Sequence, residues 1–231
     1  MKNFLPLFLC AVAILTIACA GNRQINTIAT IDVFVNVKEI VPTVHLDIRY
    51  YTTHNFVGSR INGYDSPKCF LTKEAAIALK KVQEELERKQ QSLKIFDCYR
   101  PQRAVDHFVR WAKDLADQKR KADYYPSVDK KYLFRDGYIA EKSGHSRGST
   151  IDLTIMDLNS NQELDMGTGF DFFDPLSHTM NSHISQSQLD NRMALKSVME
   201  RYGFKNLAEE WWHFTLKNEP YPNQYFDFRI Q

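Results

Sequence analysis

The sequence predicts one α+β domain, with an antiparallel or mixed central sheet flanked by helices. Helical and strand-like stretches follow one another in irregular order, which argues against a doubly wound parallel sheet. Neither an internal repeat nor a long linker divides the chain. The composition, 43% hydrophobic and 25% charged over 231 residues, supplies a sizeable core and excludes disorder, a collagen-like repeat and a coiled coil. Lys and Arg number 30 against 28 Asp and Glu, so no whole-molecule field favours a nucleic-acid partner.

The domain starts at residue 31. Before it, Lys2 precedes an uncharged run over residues 4–20, short for a bilayer span and suited to an export signal. Ala18-Cys19-Ala20 matches the small-x-small pattern of ordinary signal cleavage. Thr16-Ile17-Ala18-Cys19 resembles a bacterial lipobox, which would place a lipid anchor on Cys19. Residues 1–20 are thus read as a signal, 21–30 as a polar tether, and 31–231 as the exported domain, periplasmic or an outer-membrane lipoprotein. Cys69 and Cys98 are the cysteines of that domain. An oxidising compartment permits a bridge between them, and two buried free thiols remain the alternative.

Within the domain, Val33-Phe34-Val35 and residues 44–48 read as strands. Thr72 can cap a helix with Glu74 in its first turn and Ala75, Ala78, Val82 and Leu86 at helical spacing. Residues 93–96 form a strand, and Pro101 suits the first position of the next helix, whose apolar side is Ala104, Phe108, Trp111, Ala112 and Leu115. Residues 117–143 read as a surface excursion and 151–155 as a strand. A third helix follows a cap at Asp190, carries Leu195, Val198, Met199 and Tyr202, and stops at Gly203. Residues 210–216 are an aromatic strand; Trp111, Trp211 and Trp212 read as core.

Two segments carry chemistry. In Ser143-Gly144-His145-Ser146-Arg147-Gly148-Ser149-Thr150-Ile151-Asp152, the imidazole and carboxylate would diverge on an unbroken strand, so a turn at Gly148 is needed for them to converge. In Glu210-Trp211-Trp212-His213, a general base and a metal ligand lie close together, with Glu210 expected in a turn and His213 on the strand. His145, Asp152 and His213 make an N/O set suited to zinc at the sheet, with a fourth position open. Composition alone leaves a packed His213 and a polar-turn His145 as alternatives.

Ser-x-His-(x6)-Asp followed by Glu-x-x-His resembles the zinc peptidase family of D-alanyl-D-alanine dipeptidases, D,D-carboxypeptidases and phage endolysins. Its dipeptidase (VanX-type) branch is the most similar. Asp97-Cys98-Tyr99-Arg100-Pro101 resembles that branch's Tyr-Arg-Pro segment, and Met166-Gly167-Thr168-Gly169-Phe170-Asp171 its Met-Gly-Thr-x-Phe-Asp element. Asn55-Phe56-Val57-Gly58 and Gly63-Tyr64 resemble its N-terminal portion. The resemblance implies one Zn2+ held by His145, Asp152 and His213, Glu210 as base, and Arg100 as oxyanion stabiliser. It implies Asp171 as the reader of a substrate ammonium, with Ser143 and Tyr64 as further substrate contacts. His178 would orient a ligand or line the mouth. The expected reaction is hydrolysis of D-Ala-D-Ala. The alternatives are a D,D-carboxypeptidase on peptidoglycan stems and an inactive zinc-bound envelope binding protein.

Overall fold

A computed structural model describes Met1 and Val33–Gln231; the signal, tether and lipobox expectations lie outside the described residues. Strand β1 (Phe34–Asn36) pairs antiparallel with β3 (Phe70–Thr72) in a small separate sheet. Among the described residues the main sheet has six strands, five of them β2 (His45–Leu46), β4 (Gln91–Asp97), β5 (Thr150–Asp157), β7 (Phe204–Leu207) and β8 (Glu210–Leu216), in the order β2-β4-β5-β8-β7. The short β6 (Gln162–Glu163) pairs with the end of β5. Only β2 and β4 run parallel, so the sheet is mixed.

The first strand-like stretch divides. Asn36 ends β1 and caps a short helix, α1 (Val37–Ile40), by accepting from the Lys38 amide. The expected strand over 44–48 shortens to the two residues of β2, after which the chain turns at 49–51. Helix α2 (Lys73–Glu87) follows Thr72 and buries Ala75, Ala76, Leu79, Val82 and Leu86. Each large apolar side chain so buried contributes roughly 1.5–3 kcal/mol. The Thr72 hydroxyl does not cap α2; it bonds the Ser149 hydroxyl at 2.8 Å, tying β3 to the entry of β5.

Helix α3 (Gln102–Lys113) begins one residue after the expected position, because Pro101 is extended at ψ 148° and serves as the N-cap. It ends before Leu115, which is exposed. The excursion over 117–143 is less superficial than its charge suggests. Tyr124, Tyr125, Leu133 and Ile139 are buried, around the short helix α4 (Lys121–Tyr124). Lys130 Nζ fastens this segment to the end of α3 by donating to the Asp114 and Asp117 carbonyls at 2.7 and 2.6 Å.

Helix α5 (Gln186–Arg201) starts earlier than expected. Ser185, not Asp190, caps it, accepting from the Gln188 amide while the Gln188 side chain returns to the Ser185 amide. Gly203, at φ 94°, follows its last turn. Trp111, Trp211 and Trp212 are core residues, as read from the sequence.

Candidate active site

Sheet register assembles the centre of the site. Asp152 on β5 faces His213 on β8 across one strand pair and Asp97 on β4 across the other. Directly opposed residues share a face, so these side chains meet on one side of the sheet.

His145 reaches the same face from a 3-10 turn, Gly144–Arg147, capped by the Ser143 hydroxyl. The turn ends at Gly148 with φ 81°, and a Cβ there would strike the Phe34 ring. Glycine thus supplies both the left-handed conformation and the close approach. The required break between His145 and Asp152 falls where the sequence placed it.

Glu210 departs from expectation: it lies on β8 with His213 rather than in a turn. The two converge because β7 and β8 slip in register. Asn206 pairs with Phe214 while Leu207 pairs with Glu210, leaving residues 211–213 of β8 without β7 partners. The Asn206 amide bridges the gap, donating to the Glu210 and His213 carbonyls at 3.1 Å each. The slip lets Glu210 Oε2 come within 3.3 Å of His213 Nδ1 despite their spacing on one strand.

Ligand-type atoms of His145, Asp152 and His213 all lie within 4.8 Å of one another. His145 Nδ1 donates to the Cys98 carbonyl at 2.7 Å, so its Nε2 lone pair faces inward, 3.2 Å from Asp152 Oδ2 and 3.4 Å from His213 Nδ1. Asp152 Oδ1 is buried without a hydrogen-bond donor, though His213 Nδ1 lies 3.1 Å away. Two ring nitrogens and a carboxylate that converge on one point, with one carboxylate oxygen unpaired, fit a cation, and this N/O donor set fits zinc. Burial works against charge on His213, yet the Asp152 and Glu210 carboxylates, 3.1 and 3.3 Å from its Nδ1, raise its pKa to about 10, so a proton there holds the place a bound cation would take. Burial also works against the Asp152 charge, but the two histidines hold its pKa well below the carboxylate range.

Arg100 approaches from the end of β4. Its Nε donates to Asp97 Oδ2 at 2.9 Å, and Nη2 lies 3.5 Å from Asp152 Oδ2. Its guanidinium stacks 5.0 Å from the Tyr50 ring centre and 5.2 Å from that of Phe108.

Asp171, at φ 60°, accepts from the hydroxyl of the same Tyr50 at 2.8 Å. Burial, helped by the Asp152 and Glu210 charges and resisted by Arg100, pushes its carboxyl well above the ordinary range. Its loop is clamped from α5. Buried Arg192 donates to the carbonyls of Met166, Leu176 and His178 at 2.6, 2.9 and 2.7 Å.

Ser143, Arg100, Asp171, Glu210, His145, Asp152 and His213 line one cavity of about 230 Å³. That is below the roughly 300–1,000 Å³ of pockets for drug-sized ligands and leaves room for a small peptide. Tyr64 is not at its wall. It is 1% exposed and donates to Asp97 Oδ1 at 2.6 Å, so it steadies the carboxylate that holds Arg100 instead of meeting a ligand. His178 does not line the cavity either; its carbonyl belongs to the Arg192 clamp. Sequence reasoning missed Tyr50, Asp97, Asn206 and Arg192. Only Asp97 carried a signal, as a carboxylate beside the Tyr-Arg-Pro segment.

A mixed sheet presenting two histidines, a buried aspartate and a neighbouring glutamate is the arrangement of a metallohydrolase type of centre. The Peptidase_M15 family, described as D-ala-D-ala dipeptidase, matches residues 31–231, and the chain belongs to it. A D-alanyl-D-alanine dipeptidase of Streptomyces coelicolor is 42% identical over 197 residues, 85% of this chain and 98% of that protein. Enterococcus faecium has one that is 41% identical, covering 86% and 98% of the two chains. An Escherichia coli relative of the same description is 32% identical, covering 79% and 83%.

Proposed function

We propose that this metallopeptidase-family chain hydrolyses D-alanyl-D-alanine outside the cytoplasm, with Glu210 as base, Arg100 as oxyanion stabiliser and Asp171 as reader of the amino end. Family membership supports the reaction class. The observation that carries the assignment of roles is the joint presence of a base, a fixed cation and a buried carboxylate around one small cavity.

His145, Asp152 and His213 would hold the zinc, which when bound supplies a Lewis acid that lowers the pKa of water and polarises a peptide carbonyl. Glu210, beside that ligand set, accepts the proton of the attacking water at its carboxylate and returns it to the leaving amine. Arg100, fixed by Asp97, faces the negative charge that develops on the carbonyl oxygen. Losing such a donor costs about 2.7–4 kcal/mol of barrier. Asp171 has lost its hydration to burial, so an arriving ammonium restores the countercharge it lacks. The Ser143 hydroxyl offers a further polar contact at the wall.

The carboxypeptidase alternative needs an amide, not an ammonium, against Asp171, and the buried carboxylate disfavours it. An inactive binding protein has no use for both Glu210 and Arg100. Zinc-loaded protein offered D-Ala-D-Ala, L-Ala-L-Ala and a D-Ala-D-Ala-terminated tripeptide separates these readings. Rapid cleavage of the first alone is expected; preference for the tripeptide, or no cleavage at all, overturns the proposal. Location outside the cytoplasm suits scavenging or recycling of wall-derived dipeptide. Cell fractionation tests it, since active cytosolic protein with residues 1–20 intact would contradict export. Mass analysis of the mature N-terminus tests the lipid on Cys19.

A further inference from the structure

Cys69 and Cys98 form a disulfide, with Cα atoms 5.4 Å apart and both residues buried. Its position relative to the site is specific. Cys98 follows Asp97 at the end of β4, two residues before Arg100, and its carbonyl is the acceptor for His145 Nδ1 at 2.7 Å. Cys69 immediately precedes β3, and β3 grips the same region from the other side. Phe70 accepts from the Tyr99 amide at 2.9 Å, and the Thr72 amide donates to the Gly148 carbonyl at 2.8 Å. The Arg100 amide in turn donates to the His145 carbonyl at 3.3 Å. The disulfide is therefore the covalent joint between the strand end that orients His145 and the strand that holds the far end of the His145 turn.

Beyond those two backbone bonds and the Thr72–Ser149 hydroxyl contact, little pairing holds β3 against this region. β3 is three residues long and pairs only with the equally short β1, apart from the main sheet. The Nδ1–H to carbonyl bond sets the tautomer and ring plane of His145, so displacement of the Cys98 carbonyl turns the Nε2 lone pair away from Asp152 and His213.

We propose that the Cys69–Cys98 disulfide is a positioning element of the metal site, so that the oxidised chain is the zinc-competent form. The inference rests on the assignment of His145 as a ligand. The bond forms by thiol–disulfide exchange. The two thiols lose two electrons and two protons, and a disulfide-bearing oxidant is reduced to a dithiol. A chain still in a reducing compartment then holds zinc weakly and spares any dipeptide there, and oxidation completes the enzyme.

The test compares zinc-loaded wild type with Cys69→Ser/Cys98→Ser and with Val198→Ala, a cavity-making change in α5 outside the site. Zinc release to excess chromogenic chelator is followed at a temperature where circular dichroism shows all three folded. The double variant is expected to release zinc about 10- to 100-fold faster, the usual cost of losing a ligand's orienting partner. Val198→Ala, despite a lowered Tm, should stay within about twofold of wild type. Equal release from wild type and the double variant overturns the proposal, as does equally fast release from an equally destabilised Val198→Ala. A second measurement covers a double variant that does not fold. Wild type is poised in glutathione buffers of graded potential, its free thiols are trapped, and zinc content and circular dichroism are read together. Zinc loss that tracks reduction while the fold persists supports the proposal. Loss of zinc and fold in one transition makes the bridge a general staple and refutes it. Failure of the oxidised wild type to cleave D-Ala-D-Ala would overturn the dipeptidase reading instead, and leaves the zinc comparison intact.

Discussion

Asp97 and Arg100 form an ion pair at 2.9 Å, with Asp97 fully buried and its second oxygen taken by the Tyr64 hydroxyl. The guanidinium is thus aimed rather than mobile, and aim matters only once charge develops on the substrate. Asp97→Asn keeps the size and removes the charge. It should lower kcat by about 10- to 100-fold with KM little changed, the pattern of an interaction made in the transition state. Tyr64→Phe should do the same to a smaller degree. Steady-state kinetics on the dipeptide, with zinc content measured in parallel, checks both.

Removing His145, Asp152 or His213 should lower zinc occupancy as well as activity, because a centre with two remaining protein ligands holds its metal weakly. Elemental analysis of purified His213→Ala is the decisive measurement, since full zinc there would take His213 out of the ligand set.

Glu210→Ala should keep both zinc and fold yet lose turnover. General-base contributions are typically about 100- to 10,000-fold, and the dual use of Glu210 as base and acid places the loss toward the upper end. Single-turnover rates on zinc-verified protein isolate this step.

Asp171→Ala should damage recognition rather than chemistry. Removing a charged partner of the substrate ammonium costs on the order of 1.5–3 kcal/mol. That loss should fall on the free dipeptide and not on N-acylated D-Ala-D-Ala. Comparable losses in kcat/KM on both substrates would show that Asp171 does not read the amino end.

Gly148→Ala should destabilise the domain. A left-handed φ costs an L-residue about 1–2 kcal/mol, before any displacement of the Phe34 ring that its Cβ would strike. For a domain of this size that cost alone corresponds to a Tm lower by roughly 2–8 °C, measurable by calorimetry.

Several features of the fold and site are written locally. The stripes of α2 and α5, the strand read over 151–155 and extended to Thr150–Asp157 by pairing, and the turn at Gly148 follow from side-chain period and backbone sterics, which act over a few residues. The capping box Ser185-x-x-Gln188 was equally local, and reading Asp190 as the cap passed over it. The residue types at 145, 152, 210 and 213 already named an N/O metal set with a base beside it.

Their convergence was not local. Asp97, Asp152 and His213 meet because three strands of distant sequence align in one register, and register depends on pairing across the sheet. Glu210 reaches His213 through the β7–β8 slip, which no feature of residues 210–216 announces. Tyr50 meets Asp171 across 121 residues, and Tyr64 turns to Asp97 rather than to the cavity. Which chemical groups are present, and which elements carry them, can be read from the chain one segment at a time, because helix period, caps and turn sterics are short-range. The tertiary structure alone decided which groups touch, and it paired Cys69 with Cys98 directly behind His145, because those contacts are set by long-range packing and strand register.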